Sequence, residues 1–119
     1  MSDLIERYLA CWNETDAAAR QALLAEHWTE DASYVDPMAE VSGRAALDAT
    51  IAAVQGQFPG FVFSVAGAPF DAHHDVARFG WGFGPAGEEP VIIGFDVVQT
   101  DPAGRIARVL GFLDQVPAT

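Results

Sequence analysis

Ala32-Ser33-Tyr34-Val35-Asp36-Pro37 is a short β-prone run that ends on an acid and a proline. Pro37 has no N–H to give a ladder, and the residue before a proline is driven to extended geometry. Asp36 is therefore predicted at the last position of a strand, at the rim of whatever that strand lines. A carboxylate held there beside apolar neighbours suits general-base work. The same residues also fit a simpler role, an Asx-type turn that carries the chain into Met38.

On the N-terminal side of this stretch the period is helical. Leu4, Ile5, Tyr8, Leu9 and Trp12 make one stripe, predicting a helix over 2–13. Thr15 or Asp16 then caps a second helix over 16–27 that buries Ala19, Leu23 and Leu24, with Trp28 packing where it ends. On the other side, 37–42 reads as a loop and Ser42 as the cap of a third helix near 43–55. Beyond Phe58-Pro59-Gly60 the period becomes two. Strands are predicted from Phe61 to Val65, Val76 to Phe83, Val91 to Thr100 and Arg105 to Leu113, with turns at 84–87 and at Asp101-Pro102-Ala103-Gly104. Asp71 to Asp75 reads as a polar turn, and the last six residues are expected to fray. Helices segregated from a run of antiparallel strands predict an α+β fold, a bent sheet covered by helices on one face. The 119 residues fit a single domain, 1–119.

Seventeen acids against six bases give a net charge of −11, which excludes nucleic acid and anionic membrane surfaces as partners. A single cysteine, Cys11, allows no intrachain disulfide and suits a reducing compartment. The first residues carry no basic n-region and no long apolar stretch, so a cytoplasmic protein is expected.

No cysteine pair and no His-Glu-x-x-His spacing is present, so neither a metal nor any other cofactor is assigned. His73, His74 and Asp75 read as a turn at a strand end, with one histidine available to reach a pocket as a proton shuttle. Gly80, Gly82 and Gly84 alternate along a strand rather than open a helix, which means a closely packed or sharply curved strand and not a phosphate loop. The informative set is Tyr8, Asp36 and Asp96. Tyr8 lies on the apolar stripe of the first helix. Asp96 interrupts Ile92-Ile93-Gly94-Phe95-Asp96-Val97-Val98, where a buried carboxylate is costly unless hydrogen-bonded, paired or protonated. Either it faces a cavity with a raised pKa, or it faces solvent or pairs with Arg78 or Arg108.

The chain resembles the SnoaL-like and ketosteroid isomerase-like branch of the nuclear transport factor 2-like superfamily. The resemblance is carried by Arg7-Tyr8-Leu9-Ala10-Cys11-Trp12-Asn13, by Ala32 to Pro37, by Ser42-Gly43-Arg44-Ala45-Ala46-Leu47, and by Gly94-Phe95-Asp96 with Asp101-Pro102-Ala103-Gly104-Arg105-Ile106. It implies a cone-shaped, cystatin-like α+β barrel around an apolar pocket. It also implies Asp36 as the base, with Tyr8 and a protonated Asp96 as donors to the developing oxyanion. The pocket lining expected with them is Trp12, Trp28, Tyr34, Phe58, His73, Phe79, Trp81, Phe83 and Phe95. Trp12, Trp81 and the three alternating glycines reshape that pocket away from a steroid site.

The implied function is cofactor-independent proton transfer, isomerase-like or polyketide cyclase-like, on a small apolar carbonyl compound. The alternatives are a non-catalytic small-molecule binder, and a cyclase or hydratase that pairs Asp96 with a histidine. Val62, Ile92, Val97 and Arg78 fall on the opposite strand parity from the pocket set, and a homodimer is expected through that face.

Overall fold

A computed structural model describes residues 2–67 and 69–116. The first helix, α1 (Ser2–Asn13), buries Ile5, Tyr8, Leu9 and Trp12 of the predicted stripe; Leu4 is only half-buried, and Cys11, outside the stripe, is buried as well. Helix α2 (Ala17–His27) starts at Asp16, whose side chain accepts from the Ala19 amide at 2.8 Å. Its buried side differs from the prediction. Arg20 and Leu24 are buried, while Ala19 and Leu23 are only half-buried. The Arg20 guanidinium reaches Asp48 Oδ1 at 2.5 Å, the Glu14 carbonyl at 3.0 Å and Gln55 Oε1 at 3.1 Å. Gln55 in turn donates to the carbonyls of Trp12 and Glu14. This satisfied network ties the end of α1 to both other helices and so fixes where Trp12 sits.

Strand β1 (Trp28–Asp36) is longer than the predicted run. The predicted loop after it is a hairpin, because β2 (Ala39–Ser42) pairs antiparallel with β1, Ser42 opposite Ser33. Ser42 is thus occupied as a strand residue and does not cap the next helix. Gly43 does so by backbone alone, its φ of 91° turning the chain from β2 into α3 (Arg44–Gln57). The strands β3 (Phe61–Val65), β4 (Asp71–His73), β5 (Val76–Pro85), β6 (Ile92–Thr100) and β7 (Ile106–Gln115) complete the sheet. Asp71 to His73, predicted as turn, forms a short edge against β5. Asp114 and Gln115, predicted to fray, belong to β7; residues 117–119 lie outside the described residues.

The sheet runs β2-β1-β7-β6-β5-β3. It is antiparallel except at one place: β1 and β7 run parallel, Val35 beside Leu110. That pairing corrects the all-antiparallel expectation, and it lays the first strand beside the last. In register, Asp36 then stands next to Gly111, Gly111 is paired with Asp96, and Asp96 with Phe79. The three helices pack on the inner face, where Leu24, Leu47, Ile51, Val98, Ile106 and Val109 are fully buried with Trp28 and Phe79. Among the described residues no helix is long and apolar enough to cross a membrane.

Two of the alternating glycines have a packing reason. A Cβ on Gly82 would stand 2.5 Å from the Pro90 ring, and one on Gly84 would stand 2.9 Å from the Pro90 backbone. The segment before β6 folds directly over them.

Candidate active site

A cavity of about 130 Å³ opens between α1, α3 and the inner face of the sheet. That is below the roughly 300–1,000 Å³ of drug-sized ligand sites, so the space suits a small molecule. Exposure orders the lining. Met38 (84% exposed) and Val116 (56%) stand at the mouth, while Tyr8 (2%) and Asp96 (3%) form the floor.

The structure brings Tyr8, Asp36 and Asp96 to this one cavity, with half-buried Asp36 nearer the mouth. Each carboxylate is held by a tyrosine. The Tyr8 hydroxyl donates to Asp96 Oδ2 at 2.5 Å, and the Tyr34 hydroxyl donates to Asp36 Oδ2 at 2.6 Å. The other Asp36 oxygen, Oδ1, accepts from the Met38 and Ala39 amides, both at 2.8 Å. Asp36 therefore does both things its sequence position allows: it caps the β1–β2 turn and lines the cavity. Asp96 Oδ1 has no hydrogen-bond partner among the described residues. Arg78 and Arg108 are both exposed, and neither pairs with Asp96.

Burial pushes the Asp96 carboxyl from its ordinary 3.8 up to about 6. The Tyr8 hydroxyl and the nearby Trp81 indole pull it back down, and the Asp36 charge adds a further rise. Desolvation first, and then the Asp96 charge, hold the Tyr8 hydroxyl well above its usual value. The same causes raise Tyr34, with the hydrogen bond to Asp36 adding to them. Near neutral pH both tyrosines therefore keep their protons, and Asp96 is largely ionised.

Gly111 lets the two acids converge. A Cβ there would stand 2.7 Å from Asp96 Oδ1 and 3.3 Å from the Asp36 Cβ. Gly94 does the same for an aromatic wall, since a Cβ on it would stand 2.5 Å from the Trp81 ring. Phe63 joins the walls. It stacks on Phe83 at 4.2 Å and meets the edges of Trp12 at 5.4 Å and Trp81 at 5.5 Å.

Of the predicted lining, Trp12, Tyr34, Phe58, Trp81 and Phe83 are in place. Four residues are corrected. Trp28 and Phe79 are wholly buried core beneath the cavity, each packed against Tyr8, at 5.8 and 5.3 Å between ring centroids. Phe95 stacks on Phe112 at 5.0 Å on the outer face, because neighbours on a strand point to opposite sides and Asp96 points in. His73 is exposed and lines a separate depression with Asp71, Arg78 and Val97. His74 is exposed too, so neither histidine can serve as partner to Asp96. By the same parity rule Ile92, predicted on the outer face, lines the cavity. The sequence reading also missed Val54, Phe63, Leu113, Met38 and Val116; of these Leu113, like Ile92, carries a parity signal in register with Asp96. Among the described residues no group of three or more His, Cys, Asp or Glu side chains is arranged to hold a metal ion.

The model of the SnoaL-like domain family matches residues 5–109 of this chain. Among solved structures, a candidate isomerase of the SnoaL-like family from Agrobacterium tumefaciens strain C58 is 38% identical, over 94% of this chain and 95% of that one, with a TM-score of 0.88. A candidate ketosteroid isomerase from Kribbella flavida is 18% identical over 98% of this chain and 79% of that one, with a TM-score of 0.69. A candidate polyketide cyclase from Sinorhizobium meliloti is 19% identical over 92% and 93%, with a TM-score of 0.70. The last two share the fold. No curated protein matches the chain.

Proposed function

The chain belongs to the SnoaL-like family, a branch of the nuclear transport factor 2-like superfamily, and from that premise we propose that it transfers protons, without a cofactor, on a small apolar carbonyl compound. The observation that carries this reading is a pair of carboxylates, each hydrogen-bonded to its own tyrosine, under a cavity walled by aromatic and aliphatic side chains.

The hydrogen bonds favour a division of roles opposite to the one the resemblance implies. Asp36 accepts three hydrogen bonds, one on Oδ2 and two on Oδ1, so both of its oxygens already have donors. Asp96 keeps one oxygen free, and its pKa of about 6 is close to the working pH, where a general base is most effective. Asp96 is therefore the proton acceptor, Tyr8 holds it in position, and Asp36 shapes the field beside it. In the step, the C–H bond next to the carbonyl breaks and its proton passes to Asp96 Oδ1. The electron pair moves into the carbonyl as an enolate. Return of the proton to a different carbon isomerises the substrate; attack of the enolate carbon on a second carbonyl closes a ring, that carbonyl's π electrons going to its oxygen, which takes the proton back from Asp96.

The wild-type protein in D2O, followed by proton NMR with small cyclic ketones such as cyclopentanone and cyclohex-3-enone, is the direct test. Deuterium is expected to enter beside the carbonyl faster than in buffer. A ketone that occupies the cavity yet exchanges at the buffer rate would leave a non-catalytic binder, a reading that the fully hydrogen-bonded Asp36 supports.

Assembly is proposed on the outer face of the sheet, as a homodimer. The Phe95–Phe112 stack lies there with Phe112 50% exposed, and Val62 is 39% exposed. Sedimentation at micromolar concentration is expected to give a dimer, and Phe112→Glu a monomer; a monomeric wild-type protein would reject it.

A further inference from the structure

Among the described residues the lining holds six side chains with N–H, O–H or carboxylate groups: Tyr8, Trp12, Tyr34, Asp36, Trp81 and Asp96. Each tyrosine has one hydroxyl hydrogen, and each spends it on a carboxylate. While those bonds stand, neither tyrosine can donate to a ligand. The donors left over are the indole N–H groups of Trp12 and Trp81, both buried and without a partner among the described residues. Trp12 lines the cavity next to Tyr8, at 6.4 Å between ring centroids, and Trp81 lines it near enough to Asp96 to act on its carboxyl, yet neither indole N–H closes a hydrogen bond among the described residues. Both thus stand by the floor of the cavity, where the proposed chemistry takes place. The third tryptophan is the contrast: the Trp28 N–H is also unpartnered, but it lies by the Cys11 thiol and outside the lining.

A buried donor without a partner costs stability, and one that faces a cavity is satisfied by whatever acceptor enters it. Among the described residues the cavity has no lysine, arginine or histidine in its lining. Any negative charge that develops on a bound oxygen must therefore be met by neutral donors, and the two indoles are the ones available.

We propose that Trp12 and Trp81, rather than Tyr8, hold the carbonyl oxygen of the ligand, each through its indole N–H, while Asp96 Oδ1 faces the adjacent carbon. This rests on the cavity being the substrate site, but it concerns binding and does not require turnover. Tyr8 is then a positioning residue that acts through Asp96.

The protein with ¹⁵N-labelled tryptophan gives one indole N–H signal for each of its three tryptophans. At pH 7.5 cyclopentanone is expected to move the Trp12 and Trp81 signals downfield and leave Trp28 in place. Methylenecyclopentane, of the same shape but with no acceptor, is expected to move neither in that direction. Trp12→Phe and Trp81→Phe keep a ring in the wall and remove the donor. Each is expected to weaken cyclopentanone on the order of three- to tenfold, as for loss of one hydrogen bond, and to leave methylenecyclopentane within about twofold. Trp28→Phe is expected to change neither affinity. Unmoved Trp12 and Trp81 signals at the highest soluble cyclopentanone, in the wild-type protein, overturn the assignment whether or not the variants fold. Equal affinity for the two probes overturns it as well. Indole shifts without deuterium exchange would remove the proton-transfer reading and keep this one; exchange with unmoved indoles would do the reverse.

Discussion

Asp96→Asn is expected to lower kcat/KM for proton exchange by on the order of 10²–10⁴, the usual contribution of a positioned acid–base group, while making the protein more stable at neutral pH. Asparagine keeps an oxygen for the Tyr8 hydroxyl but cannot accept a proton. In the wild-type protein kcat/KM should rise with pH through about 6, because the free enzyme works only once Asp96 is ionised. The roles implied by the resemblance give the opposite pattern: a protonated Asp96 that donates would lose activity as pH rises through the same value, and Asp96→Asn would spare it. One pH profile separates the two.

The stability effect follows from the same group. The folded-state pKa of Asp96 lies above its ordinary value, 3.8 against about 6. Between those values the native state binds more protons than the unfolded chain, so stability falls as pH rises across the window. Above about pH 6 the wild-type protein carries the whole cost of a buried anion, about 3 kcal/mol for that rise in pKa. The variant carries none. Urea denaturation should therefore find Asp96→Asn about 2–3 kcal/mol more stable at pH 7.5, with the difference gone near pH 4. Equal stabilities at both pH values would mean that the Asp96 carboxylate is not desolvated, and the base assignment would lose its physical ground.

Some of this site was legible in the chain. The 3.6-residue stripe of α1 placed Tyr8 and Trp12 inward, Pro37 placed Asp36 at a strand end, and an acid among apolar strand residues marked Asp96. Strand parity was equally legible. It sends Phe95 out and Ile92 in once Asp96 points inward, so an expectation built on aromatic character alone misplaces both. Other features depended on residues far apart in sequence. Arg20 reads as the polar side of a helix, and its burial is possible only because Asp48, Gln55 and the Glu14 carbonyl meet it there. The parallel pairing of β1 with β7 has no local signal at all, and it alone sets Asp36 beside Asp96. Nor does the sequence show that each carboxylate takes a tyrosine hydrogen, which is what moves the donor role to the indoles.

Gly111 is where that long-range pairing meets the chemistry, and Gly111→Ala is expected to cost on the order of 10²-fold in kcat/KM. Gly111 lies between the two acids on the strand that separates them, and it shows no left-handed φ that would itself call for glycine. An alanine methyl would stand 2.7 Å from Asp96 Oδ1 and 3.3 Å from the Asp36 Cβ. Neither side chain can give way freely. Asp36 is fastened to the turn by the Met38 and Ala39 amides, and Asp96 swings aside only by leaving the Tyr8 hydroxyl. Overpacking of this kind costs about 1–3 kcal/mol of stability, and a base displaced by about 1 Å can lose 10²-fold in rate. Gly56→Ala is the control. Gly56 lies inside α3, with nothing within 4 Å of an added Cβ, so the change should stabilise by about 0.5–1 kcal/mol and leave the rate alone. If Gly111→Ala folds and exchanges protons at the wild-type rate, the two carboxylates do not work at contact distance. Asp36 then has no part in the chemistry beyond holding its turn.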